Sequence, residues 1–396
     1  MDTRSYCVTL ADQALAASRE LMSVSGSSRA KALRVVADLL LKNAPALEAA
    51  NAKDLAAGQQ AGLAASMLDR LKLDAKRIAA MADSVRQIAD QTDPVGQVIE
   101  GYVRPNGLQL QKIRVPIGVV LIIFESRPNV TSDAAALCIK SGNAVILRGG
   151  KEAANSNKAI ADIVRAGLAE AGINPHAVQL VETTDRAAVG ELLRMEGKID
   201  LAIPRGGESL IRAVVEQARI PVIKHYTGNC HVYFHSEADH DMAVNIILNA
   251  KTQRTGVCNA TETLLVDQKA ADAGLLVKAC QALAAKGVEL RGDEATCKLF
   301  PAAKAATDAD WDTEYLDMIL AVKVVKDIDD AINHINRHGS RHTDAIVTRD
   351  IAASQRFIQR VDSANVFVNC STRFSDGGEY GLGAEIGIST DKLHSR

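Results

Sequence analysis

No excess of charge of either sign runs through this sequence. Its 46 Lys and Arg stand against 48 Asp and Glu, giving a formal net charge of -2. That balance leaves no electrostatic footprint for nucleic acid, which needs a clustered basic surface. Long apolar runs are also missing: the longest, such as Ile117 to Phe124, falls far short of the ~20 residues a spanning helix requires. Met1 to Leu10 carries acid, base and hydroxyl groups where a signal peptide would be continuously apolar. The seven cysteines (Cys7, Cys138, Cys230, Cys258, Cys280, Cys297 and Cys370) are odd in number, scattered, and never spaced C-x-x-C. A disulfide framework or a zinc site is therefore not expected, and a reducing cytoplasm is the default compartment. Neither a repeat at a period of ~20–50 residues nor a G-x-G-x-x-G fingerprint is present.

What is present is a chain of 396 residues, 47% hydrophobic and 24% charged, long enough for two or three domains at ~150 residues each. The first stretch, to about residue 95, reads as Ala-rich helices, one from Ser28 to Leu41 and one from Met67 to Ile88. Two short strands then flank Pro105-Asn106-Gly107, the signature of a hairpin between Val98 and Val115. From Ile117 the pattern alternates. Continuous apolar runs at Ile117–Phe124 and Ala144–Leu147, then Val178–Val181 and Ile199–Ile203, are separated by helical segments. Strands buried on both faces read this way, and βα alternation argues for a parallel, doubly wound sheet with ligands outside its carboxyl ends. A second βα series begins near His231 and supplies strands at Thr263–Val266, Ile319–Val325, Ala345–Val347 and Val366–Val368.

Chemistry concentrates in Lys251-Thr-Gln-Arg-Thr-Gly-Val-Cys258-Asn-Ala-Thr-Glu262. A cysteine follows a small, flexible turn between a helix and a strand, with Arg254 four residues before it. A nearby cation favours thiolate, the form that attacks acyl carbon. The competing reading is a free cysteine packed as a small hydrophobe. His231 and His235, i and i+4 about a strand, are too few for a metal and read as structural; no metal is expected.

Gln253-Arg254-Thr255-Gly256-Val257-Cys258-Asn259-Ala260-Thr261-Glu262 resembles the active-site segment of the γ-glutamyl phosphate reductase family, a branch of the aldehyde dehydrogenase superfamily. Val115-Pro116-Ile117-Gly118-Val119, Phe124-Glu125-Ser126-Arg127-Pro128-Asn129-Val130, Pro204-Arg205-Gly206-Gly207, His225-Tyr226-Thr227-Gly228 and Tyr380-Gly381-Leu382-Gly383-Ala384-Glu385 also match, in order along essentially the whole chain. The resemblance implies an α/β, aldehyde dehydrogenase-like fold: two doubly wound α/β domains plus a small β oligomerisation arm. It places a cofactor-binding domain at residues 1–97 and 116–228, a catalytic domain at 229–370, and the arm at 98–115 with 371–396. The active site is expected in the crevice between the two larger domains.

By the same resemblance Cys258 is the nucleophile and Asn129 an oxyanion donor, the competing reading of Asn129 being a turn residue after Pro128. Arg148, Gly149, Lys151, Arg205, Gly206, Gly207 and Glu314 are the expected cofactor residues. Arg148 and Lys151 suit the 2′-phosphate of NADPH, or else are solvated loop cations. Arg254, Arg127 and His225 are the expected substrate-side residues, with Lys224 a further nearby cation; arginine suits a phosphate or carboxylate. His225 stands where hydrolytic relatives carry a water-activating glutamate, so it is either a general acid or base or a hydrogen-bonded structural imidazole. The implied activity is NADPH-dependent reduction of L-glutamyl 5-phosphate to L-glutamate 5-semialdehyde through a Cys258 thioester, the second step of proline synthesis. The expected setting is a cytoplasmic homo-oligomer without membrane or nucleic-acid partners, in transient contact with a separate glutamate 5-kinase. The family continues past Lys392–Arg396 for a short stretch that adds a strand to an oligomer interface. Rival readings are a CoA-acylating or hydrolytic dehydrogenase, a silent dinucleotide-binding scaffold, and a cysteine hydrolase using a Cys–His pair.

Overall fold

A computed structural model of the chain describes residues 2–392, so Met1 and the last four residues of the expected arm lie outside the described residues. The chain divides into two compact units, Met1–Lys224 and His225–Arg396.

The first unit opens with five helices: α1 (Thr3–Leu21), α2 (Gly26–Lys42), α3 (Ala44–Gln60), α4 (Ala65–Leu71) and α5 (Ala75–Asp90). Asp2, Ser25 and Asp74 cap α1, α2 and α5 by accepting backbone N–H groups of the first turn. The Met67–Ile88 stretch, which the sequence pattern presents as one helix, is broken between α4 and α5. The reason is Asn51, buried on α3. Its amide donates to Leu71 O and accepts from Leu73 N, both at 2.8 Å, taking the backbone groups that a continuous helix would have paired internally.

The hairpin β1 (Val98–Val103) and β2 (Gln109–Ile113) is antiparallel, and every residue in both strands is exposed. Next come β3 (Val119–Phe124), α6 (Asn129–Lys140), β4 (Ala144–Arg148), α7 (Ala154–Glu170), β5 (Val178–Leu180), α8 (Ala187–Leu192), β6 (Leu201–Arg205) and α9 (Glu208–Gln217). The sheet is parallel with order β5-β4-β3-β6, and β3 is buried along its whole length. Strand order reverses at β3, so the crevice outside β3 and β6 is the topological switch point.

The second unit contains β7 (Cys230–Phe234), α10 (His240–Thr252), β8 (Thr261–Asp267), α11 (Gln268–Asp272), α12 (Leu275–Ala285), β9 (Glu289–Gly292), α13 (Glu294–Leu299), β10 (Lys304–Ala305), β11 (Ile319–Val325), α14 (Ile328–His338), β12 (Thr343–Val347), α15 (Ile351–Arg360) and β13 (Asn365–Val368). Its seven strands are all parallel, in the order β10-β9-β11-β8-β7-β12-β13. Alternate residues feed opposite faces. Val232, Phe234, Leu264 and Val266 join a core with α10 and α12, while Tyr233, Leu265 and Ile346 join one with α14 and α15. Helices thus cover both faces. Among the described residues, no helix is long and apolar enough to cross a membrane.

Candidate active site

In the second unit three loops meet at the amino ends of three adjacent strands, β8, β7 and β12. Cys258 lies just before β8, His225 and Gly228 before β7, and His342 before β12. The loop carrying Cys258 is anchored at its base. Lys251, in the last turn of α10, and Glu262, the second residue of β8, pair at 2.6 Å with neither side chain exposed. The other Glu262 oxygen accepts the Leu316 N–H at 3.3 Å. Burial pushes the Glu262 carboxyl up and the Lys251 ammonium down, and their mutual attraction opposes both shifts.

Cys258 itself is half-buried. Its backbone lies directly against Gly228, where an added Cβ would stand 2.5 Å from the Cys258 Cα; only glycine permits this approach. Cys230 Sγ donates to the Cys258 carbonyl at 3.2 Å from beneath. The His225 and His342 rings lie 4.7 Å apart, and a ring nitrogen of each lies within 4.8 Å of the Cys258 Sγ and of the other. His342 is fully buried: its Nδ1 pairs with Thr343 Oγ1 at 2.7 Å, and its Nε2 has no hydrogen-bond partner. Burial, with the charge of His225 second, pushes the His342 imidazole down to about 3, so it is neutral near pH ~7.

On the other flank, Asn259 holds the loop to the segment after β13. Its Nδ2 donates to Ser375 O at 2.9 Å, its Oδ1 accepts from the Arg373 guanidinium, and its carbonyl accepts from Thr372 Oγ1 at 2.7 Å. Arg373 also donates to Gln253 Oε1 at 2.7 Å. Burial, and then the adjacent charge of Arg254, pull the Arg373 guanidinium below its ordinary value, and Arg373 feels the Cys258 thiol as well. Arg373, which no motif singled out, thus stands within electrostatic reach of both the Cys258 thiol and Arg254, the exposed cation of the sequence motif. Glu314 is half-buried in the loop before β11, close enough for its charge to act on both Lys251 and Glu262. His231 and His235 are elsewhere, bonded to Asp344 at 3.0 Å and Thr348 at 2.9 Å. A groove of about 880 Å³, lined by Met242, Ile246, Phe367, Phe374 and Tyr380 among others, does not contain Cys258.

In the first unit the expected cofactor residues fall into two groups on either side of β3. Gly149 and Lys151 line a cavity of about 170 Å³ with Gly150, Lys158, Glu182 and Thr184. Asn157 packs against Gly149 where a Cβ would stand, so a side chain has no room there. Arg148 is folded onto the backbone, donating to Gly149 O at 3.1 Å and Thr184 O at 3.4 Å. The backbone donors of Asn155 and Ser156, which open α7, are already engaged. The buried Asp54 of α3 already accepts Asn155 N at 3.2 Å and Ser156 N at 2.8 Å. Arg205, the last residue of β6, and Gly206 and Gly207 after it are exposed, and Gly207 N donates to Glu125 at 3.1 Å. Asn129 opens α6, exposed, its amide donating to Asp133 at 2.9 Å, and Arg127 is exposed two residues earlier. Ser126, with φ of 49°, is held by Glu152, which accepts both its N–H and its hydroxyl at 2.8 Å.

Sequence comparison matches residues 3–307 and 306–382 to the aldehyde dehydrogenase family. A γ-glutamyl phosphate reductase from Geotalea daltonii is 55% identical over 386 residues, covering 98% of this chain and 92% of that protein. The crystal structure of γ-glutamyl phosphate reductase from Thermotoga maritima superposes with a TM-score of 0.95 at 42% identity, covering 98% of this chain and 94% of that one. The Saccharomyces cerevisiae γ-glutamyl phosphate reductase structure is 35% identical, with a TM-score of 0.53 and coverage of 97% and 98%. The α/β architecture expected from the sequence is that of these proteins, and the chain belongs to the aldehyde dehydrogenase family, within its γ-glutamyl phosphate reductase branch.

Proposed function

We propose that the chain reduces L-glutamyl 5-phosphate to L-glutamate 5-semialdehyde, releasing phosphate, through a thioester on Cys258 and with NADPH as reductant. The observation that carries this reading is the Cys258 loop: a half-buried thiol above a buried Lys251–Glu262 pair, flanked by two imidazoles and within electrostatic reach of Arg373. Arg254 and Arg373 favour the thiolate and suit the anionic groups of an acyl phosphate. The thiolate forms a C–S bond to the γ-acyl carbon, and the C–O bond to phosphate breaks. The cavity lined by Gly149 and Lys151 is the place for the cofactor, its two lysines, Lys151 and Lys158, suiting a phosphorylated nucleotide. With Lys151 and Lys158 holding it, NADPH would supply hydride chemistry there, and the Cys258 thioester would be reduced to a thiohemiacetal. His225 handles the accompanying proton, and collapse breaks the C–S bond, returning thiolate and aldehyde. Asn129 is assigned to the oxyanion, Arg127 to the substrate, and Arg148, Arg205, Gly206, Gly207 and Glu314 to the cofactor. The aldehyde then cyclises to pyrroline-5-carboxylate, as in the second step of proline synthesis.

Among the described residues, the titratable groups clustered with the thiol are imidazoles, with no carboxylate to activate water against the thioester, which favours reduction over hydrolysis. The labile substrate has to come from a glutamate 5-kinase. The seven free thiols suit a reducing, cytoplasmic setting. The fully exposed β1–β2 hairpin, with the segment after β13, is assigned to a homo-oligomer contact. The test is the reverse reaction, cofactor reduction with pyrroline-5-carboxylate and phosphate, comparing NADP⁺ with NAD⁺ and wild type with Cys258→Ala. Phosphate-dependent reduction of NADP⁺ that vanishes in the variant is expected. Reduction independent of phosphate would indicate a hydrolytic dehydrogenase and overturn the proposal.

A further inference from the structure

The thiol and the two imidazoles form a constellation that thioester chemistry does not by itself require. Acyl transfer needs the nucleophile and one proton carrier. Here a second imidazole, His342, is fully buried, with one nitrogen bonded to Thr343 and the other without a hydrogen-bond partner. An unpaired polar nitrogen in a closed interior is costly unless something reaches it. The Cys258 Sγ and one nitrogen each of His225 and His342 lie within 4.8 Å of one another. A tetrahedral zinc ion, with Zn–S of ~2.3 Å and Zn–N of ~2.0–2.1 Å, needs donors ~3.3–3.6 Å apart. The spacing therefore has to close by roughly 1 Å. The two half-buried partners, His225 and Cys258, can supply this by side-chain rotation while buried His342 stays fixed. One thiolate and two neutral imidazoles form a borderline-soft donor set, suited to zinc and unsuited to magnesium or calcium.

We propose that Cys258, His225 and His342 bind a single Zn²⁺ ion, with water or an anion drawn in by Arg254 and Arg373 as the fourth ligand, and that this reversibly blocks the nucleophile. Binding exchanges the thiol proton for the metal: the S–H bond breaks, a Zn–S bond forms, and one proton is released to buffer. No redox change occurs, and a competing chelator restores the thiol. The same side chains thus alternate between a reactive and a masked state according to free zinc.

The experiment uses the full chain without substrate or cofactor, so its outcome is independent of the reductase assignment. Zinc is titrated against a chromophoric chelator, and Cys258 alkylation by iodoacetamide is followed by peptide mass with and without metal. One zinc per chain, with Cys258 shielded and restored by EDTA, is expected. In His342→Gln the affinity should fall by about 100-fold or more, at or beyond the upper end of what losing an outer-sphere partner produces. Should that buried substitution prevent folding, His225→Gln at the half-buried position should give the same loss. Cobalt(II) in place of zinc should show a thiolate charge-transfer band that is absent in Cys258→Ser. Unchanged Cys258 alkylation under saturating zinc, or undiminished affinity in the soluble histidine variant, would overturn the proposal. Zinc binding in a protein that lacked reductase activity would leave it standing.

Discussion

Replacing Lys251 with methionine removes one member of an ion pair that has no solvent exposure, with its atoms 2.6 Å apart. At an effective dielectric of ~20 that distance corresponds to an attraction of roughly 6 kcal/mol, set against a desolvation cost of several kcal/mol for each ion. The intact pair is therefore close to neutral for stability, while its half is not. In Lys251→Met, Glu262 keeps only the Leu316 N–H and escapes a buried charge by taking up a proton. With an unfolded pKa of ~4.3, holding the carboxyl neutral at pH ~7 costs about 3.7 kcal/mol, and at pH ~5 about 1 kcal/mol. The first figure falls within the ~3–5 kcal/mol typical of breaking a buried pair. Urea unfolding can follow this through Trp311, the sole tryptophan, which lies buried in the same unit. We expect a loss of ~3–4 kcal/mol near pH ~7, shrinking by ~1.4 kcal/mol per pH unit on acidification, and recovery to within ~1 kcal/mol of wild type in Lys251→Met/Glu262→Leu. A single variant that loses less than ~1 kcal/mol at neutral pH, or whose loss does not change with pH, would refute the reasoning.

Three further outcomes follow from the same geometry. Gly228→Ala puts a methyl 2.5 Å from the Cys258 Cα, so the loop must move; kcat should fall by on the order of 100-fold and Cys258 alkylation should change, while the fold persists by circular dichroism. Arg373→Gln should raise the KM for inorganic phosphate in the reverse reaction by about 10- to 150-fold, matching ~1.5–3 kcal/mol for a charge-assisted hydrogen bond; an unchanged phosphate KM would remove Arg373 from the anion site. Burial holds His342 at about 3 and His334 at about 2, both below the ~6.5 of an unfolded chain. Below pH ~6.5 the unfolded chain binds more protons than the native one, so their contribution is present above that value and is lost as pH falls toward ~3. The slope approaches ~2.7 kcal/mol per pH unit for the two together, and His342→Gln should roughly halve it in denaturant titrations at stepped pH.

How much of this was legible beforehand depended on whether the cause was local. The hairpin was marked by its own Asn-Gly turn, and β3 by six apolar residues in a row, so both were readable. The break between α4 and α5 was not, because the group that compensates it, Asn51, lies a helix away. The same holds at the site. Cys258 and Arg254 sit in one motif, whereas His342 and Arg373 reach the thiol only because β12 pairs with β7, and the segment after β13 folds back on Asn259. The glycine-rich loops after β4 and β6 stand out in the sequence by composition alone. Yet the donors of α7 were already committed to Asp54, a long-range partner that spacing does not reveal.

The Cys258 loop follows the carboxyl terminus of α10 rather than preceding an amino terminus. Many reactive cysteines draw on the positive end of a helix macrodipole, a property of the backbone that no single substitution removes. In the proposed mechanism this thiol, after the opposite pole, draws instead on the guanidiniums of Arg254 and Arg373. Its reactivity should therefore be sensitive to ionic strength, since screening weakens the exposed Arg254 first. It should also be adjustable in small steps, because a side-chain charge can be moved, shortened or exchanged one mutation at a time without disturbing the sheet beneath.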